Sequence, residues 1–102
     1  MSQMNKIKGV IDNYNAEALF ADGLDAAIIG VGRQWGSDYV LVYDSDKCIE
    51  ILEHKFAKED TELSQEDAYV QAVEWFCNNV ECAYVGKNTP IFMSSIKSIL
   101  EQ

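Results

Sequence analysis

Proline occurs once in this 102-residue chain, histidine once and cysteine three times, and basic residues number only 8 against 17 acidic ones. Each scarcity excludes something. A single proline, Pro90, leaves no Pro-rich linker, and no internal repeat interrupts the chain. No apolar run approaches the ~20 residues that a membrane-spanning helix needs, and Asn5, Lys6 and Lys8 break up the start. Cys48, Cys77 and Cys82 are an odd number with no secretory-type leader, so a disulfide framework is not expected and the cytoplasm is the expected compartment. The formal charge of −9 sets up a field that repels phosphate backbones, and Lys6, Lys8, Arg33, Lys47, Lys55, Lys58, Lys87 and Lys97 form no basic stripe. Direct nucleic-acid binding and membrane association are therefore not expected.

What is present is a chain with globular composition. At 48% hydrophobic and 25% charged residues it lies away from the disordered and membrane classes, and one domain spanning residues 1–102 is expected. A chain of this length buries roughly 60–70% of the surface its unfolded form exposes, enough for one core without staples. Eleven aromatic residues supply much of the material for that core.

Helical spacing of Ile7, Val10, Ile11, Tyr14, Ala18 and Leu19 predicts a helix over about Lys6 to Asp22, stopped by Asp22-Gly23. Ala26 to Val31 is apolar at consecutive positions, which predicts a strand covered on both faces. A glycine-flanked loop then leads to a second strand, Tyr39 to Tyr43, paired with the first as a hairpin. Asp44 or Ser45 can cap a helix running to about Phe56, with Cys48, Ile49, Ile51, Leu52 and Phe56 on its apolar face. Ser64 and Asp67 resemble a capping box for a helix from Gln65 to Val80 that buries Tyr69, Ala72, Val73, Phe76 and Val80. Ala83 to Val85 and Pro90 to Met93 have the composition of short strands around a turn, and Ser94 is placed to cap a last helix holding Ile96, Ile99 and Leu100. The order predicts an α+β domain: a small, mainly antiparallel sheet of three to four short strands with about four helices packed on it.

Chemistry-bearing patterns are sparse. Gly30-Val31-Gly32-Arg33-Gln34-Trp35-Gly36 follows a strand, yet it matches neither the dinucleotide fingerprint nor the phosphate loop, and the next element is a strand. Its glycines fit a hairpin turn, from which Arg33 and Trp35 project unless Trp35 is taken into the core. Cys48, His54, Cys77 and Cys82 lack zinc-ligand spacing, and neither a metal site nor a cofactor is expected. A Cys48 nucleophile with His54 as base has no third, orienting group in view. Glu59, Asp60, Glu62, Glu66 and Asp67 lack the alternation and central glycine of a calcium loop, so they read as a solvated connection and a stabilised helix start. No catalytic residue is assigned.

The segments Asp22-Gly23 with Ala27-Ile28-Ile29-Gly30, Val42-Tyr43-Asp44 leading to Lys47-Cys48-Ile49-Glu50-Ile51-Leu52, and Glu66, Ala72, Glu74, Phe76 and Asn79 resemble a family of small proteins of tailed, often marine, bacteriophages. The likeness continues through Ala83-Tyr84-Val85-Gly86 and Thr89-Pro90-Ile91-Phe92, with Cys82 standing where the pattern has glycine. It covers about Asp22 to Met93, implies a viral or environmental origin, and carries no catalytic motif. The expected function is binding to a host or viral protein, with Arg33, Trp35, Tyr84 and Lys87 as contact candidates. The alternatives are a small enzyme or ligand-binding module with a pocket near Tyr43, Cys48 and His54, and a DNA mimic built on the acidic surface. A homodimer is the expectation if Tyr39 and Tyr43 share an uncovered face.

Overall fold

In the computed structural model, which describes residues 3–101, the chain runs α1 (Gln3–Tyr14), β1 (Ile28–Gly32), β2 (Val40–Asp44), α2 (Ser45–Glu59), α3 (Gln65–Phe76), β3 (Ile91–Met93) and α4 (Ile96–Leu100). A 3-10 turn, Asp25–Ala27, precedes β1, and a π-helical turn, Cys77–Glu81, extends α3. The architecture is α+β. The sheet has the order β1-β2-β3 and is mixed: β1 and β2 form the expected antiparallel hairpin, whereas β3 lies parallel to β2.

Side-chain caps start three of the helices. Asp44 accepts the N–H of Asp46 at 3.1 Å and Ser64 that of Asp67 at 3.1 Å, each satisfying a helix-start donor that has no partner within the helix. The cap of α4 is Ser95, one residue beyond the expected Ser94, and it accepts from Ser98 N–H at 3.0 Å.

The first helix ends at Tyr14 rather than near Asp22 because Asn15 offers the backbone other partners. Its side-chain oxygen accepts from Glu17 N–H, and its amide group donates to the Tyr39 carbonyl and to Asn88 Oδ1, both at 2.9 Å. One residue thus ties the end of α1 to the start of β2 and to the turn before β3.

Ile11, Leu24, Ala27, Leu41, Tyr43, Cys48, Leu52, Ala72 and Phe76 form one buried cluster, with Phe92 packed against it. Phe92 lies between two rings, 5.4 Å from Tyr43 and 5.4 Å, edge-on, from Phe76. Tyr69 is half exposed, contrary to expectation, and Ala68 is buried in its place. Ala68, Ala72 and Phe76 recur every four residues, so they form the stripe of α3 that is buried.

Strand alternation explains the rest. Val31, Leu41, Tyr43 and Phe92 point into the cluster, and the helices that bury residues lie on that side. The opposite face carries Gly30, Gly32, Val40, Val42, Ile91 and Met93, none of which belongs to the cluster, although Val40 is itself buried. The expectation that β1 is covered on both faces is therefore corrected. It is an edge strand with an irregular register between Ile28 and Gly30, and Ile29 is half exposed.

The segment Ala83–Val85 is a further correction. It belongs to no strand, and only Ile91–Met93 joins the sheet.

Candidate functional site

The loop from Arg33 to Tyr39 closes the β1–β2 hairpin. Ser37 N–H bonds to the Gln34 carbonyl at 3.0 Å, and Gly36, third residue of that turn, has φ 85°, a conformation open to glycine at no steric cost. Trp35 occupies the corner before it and is fully exposed, which removes the alternative of a core tryptophan.

A second turn faces this loop. Thr89 N–H bonds to the Gly86 carbonyl at 3.2 Å, while Thr89 Oγ1 donates to that carbonyl at 2.6 Å and accepts from Val85 N–H at 2.9 Å. Asn88 fastens the turn to the molecule through Asn15, and its carbonyl accepts Leu19 N–H at 3.2 Å.

Between the two turns lies a cleft of about 430 Å³ whose walls include Arg33, Asp38, Tyr84, Lys87 and Thr89 and whose floor includes Val40 and Ile91. Ile91 stands on the sheet face away from the core. Three of the four contact candidates, Arg33, Tyr84 and Lys87, therefore meet in one place, and Trp35 stands at the tip of the loop that forms one wall. The Arg33 guanidinium carbon lies 4.7 Å from the centre of the Tyr39 ring, which itself packs 4.8 Å from Tyr14. Lys87 Nζ is 3.9 Å from Asp38 Oδ2, a loose and largely exposed pair that leaves the ammonium open to other partners.

A second cleft, of about 470 Å³, opens on the other side of Ala83–Val85. Leu19, Phe20, Trp75, Val80 and Pro90 are among its apolar lining, with Asp22, Lys55 and Asn79 as polar lining. Its α3 wall is the π-helical turn, where Asn79 donates to the Trp75 carbonyl at 3.2 Å. The helix widens at Asn78-Asn79 and ends just beyond, at Glu81, and such π-helical turns are found often at functional sites. This wall and its tryptophan are features that sequence reasoning missed; the paired asparagines, poor helix formers, are the one signal the sequence offers there.

The residues considered for catalysis are not brought together. Tyr43 and Cys48 are fully buried, and His54 is exposed. Burial pushes the Tyr43 phenol up to about 12, opposed by the hydrogen bond its oxygen accepts from Ala21 N–H at 2.7 Å. Burial also pushes the Cys48 thiol up to about 12, so it is protonated and shielded at neutral pH, the opposite of an activated nucleophile. With Tyr43 inside the core, Tyr39 and Tyr43 share no uncovered face, and the condition set for that homodimer is not met.

Asp60 accepts from Glu62 N–H at 3.1 Å, and Glu66 and Asp67 fall in the first turn of α3, so these carboxylates serve a turn and a helix start. Among the described residues no group of three or more His, Cys, Asp and Glu is placed to hold a metal ion, and no helix is long and apolar enough to cross a membrane. In comparisons with protein-family models, curated proteins and solved structures, nothing matches this chain.

Proposed function

We propose that this protein acts by binding another protein, a host or viral one if the phage resemblance reflects its origin, through the cleft between the Arg33–Tyr39 loop and the Gly86–Thr89 turn. The observation that supports the reading is the convergence of Arg33, Tyr84 and Lys87 on that cleft, beside a fully exposed Trp35, with none of the four in the buried cluster. Arginine and bulky aromatics are enriched among the residues that dominate binding energies, and Trp35 buries none of its surface in this fold. Two glycine-dependent turns present these side chains, and Asn15 holds the second turn against the body of the domain.

Affinity capture from a host lysate tests the reading. The wild-type chain retains a partner that Trp35→Ala and Lys87→Glu both lose, while the circular dichroism and melting of the variants stay unchanged. Capture indifferent to both substitutions contradicts it.

A further inference from the structure

The segment Ala83–Val85 has the side-chain alternation of a β-strand without a strand beside it. Ala83 and Val85 line the cleft with Trp75 and Pro90, whereas Tyr84 lines the cleft with Arg33 and Lys87. All three residues are exposed, Tyr84 at 78% and Val85 at 63%.

Their backbone N–H groups divide in the same way, whereas the carbonyls of all three bond to no described residue. Ala83 N–H bonds to the Val80 carbonyl at 3.2 Å and Val85 N–H to Thr89 Oγ1 at 2.9 Å. The N–H and C=O of Tyr84 bond to no described residue. In an extended chain the groups of alternate residues point to opposite edges, so the edge that carries the Tyr84 pair is vacant.

We propose that Ala83–Val85 is a docking edge for an extended peptide segment of the partner protein, which adds to it as an antiparallel strand; the proposal rests on the reading of the cleft above. The peptide residue opposite Tyr84 exchanges both backbone hydrogen bonds with it and places its side chain on the same side, toward Arg33 and Lys87. An aspartate or glutamate suits that position, because the two cations of the cleft outnumber its one carboxylate, Asp38. The residues on either side of it project into the other cleft, among Trp75, Val80 and Pro90, and are apolar. Backbone pairing supplies affinity in this mode, and the two clefts, reading alternate side chains, supply selectivity. The chain's formal charge of −9 favours one carboxylate among neutral neighbours over an acidic run.

The probe is the fluorescein-labelled, C-terminally amidated peptide Thr-Leu-Asp-Phe-Thr, followed by anisotropy against the full chain. Saturable binding is expected, weakened about tenfold by N-methylation of the central aspartate, which removes roughly one hydrogen bond, and by more than about tenfold by Lys87→Glu, which replaces a charge contact with a like charge. N-methylation alters only the peptide, so its effect is independent of how any protein variant folds. No binding at millimolar peptide, or binding indifferent to N-methylation, overturns the proposal. A partner captured through Trp35 and Lys87 that the peptide fails to displace overturns strand addition and leaves the cleft reading standing. Failure of both capture and peptide binding overturns both.

Discussion

Ala83-Tyr84-Val85 and Ile91-Phe92-Met93 are alike as sequence: three apolar residues centred on an aromatic, on either side of one turn. Only the second is a strand. Phe92 reaches the space between Tyr43 and Phe76, and its backbone meets the free edge of β2, so burial and ladder pairing come together. Tyr84 is held outside by the turn that links the two segments, with its ring at a polar cleft and its backbone unpaired among the described residues. β-propensity describes how well a residue suits a half-buried pleated surface, and such a surface exists for one of these segments and not the other.

The comparison can be pressed hardest at its buried member. Phe92→Ala removes the ring from between two aromatics and is expected to destabilise the domain by about 3 kcal/mol, as large core truncations do, measured by urea unfolding. A loss under ~1 kcal/mol would mean that β3 is not anchored by this side chain.

Tyr43→Phe keeps the neighbouring ring and deletes the acceptor of Ala21 N–H, at an expected cost of about 1–2 kcal/mol at neutral pH. Because the folded pKa of Tyr43 is raised, its neutral form is favoured by the fold. That contribution is present in full below the ordinary tyrosine pKa near 10 and is lost as pH rises through about 12. The stability gap between wild type and Tyr43→Phe therefore narrows over that interval, and denaturant curves taken across it give the sign directly.

Ser45 is buried at the start of α2 with its hydroxyl unpartnered. Ser45→Ala removes that unsatisfied group and is expected to raise stability by about 1 kcal/mol, or ~4 °C in Tm. The smallest effect belongs to the exposed member of the comparison. Tyr84→Ala should change the unfolding free energy by less than about 0.5 kcal/mol, and a larger loss would show that the segment is held by the fold.

The parts of the fold that the sequence disclosed are those determined locally. Asp44 and Ser64 act as caps where side-chain chemistry placed them, and the hairpin forms around Gly36. What it concealed depends on contacts far along the chain. Asn15 ends α1 with help from Tyr39 and Asn88, 24 and 73 residues away, and no local pattern announces that. Tyr69 was expected inside because it is large and apolar, yet the buried stripe of α3 runs through Ala68 and Ala72. Arg33, Tyr84 and Lys87 were each visible as candidates; their meeting in one cleft follows from the parallel return of β3, which topology and not composition dictates.

Amide hydrogen exchange resolved at single residues tests most directly whether Ala83–Val85 is a vacant strand edge. The Tyr84 amide should exchange at close to its unprotected rate while the amides of β2 exchange only through global opening, and adding the Thr-Leu-Asp-Phe-Thr peptide should protect Tyr84. A Tyr84 amide as protected in the free protein as those of β2 would contradict the account, because the edge would then already be occupied.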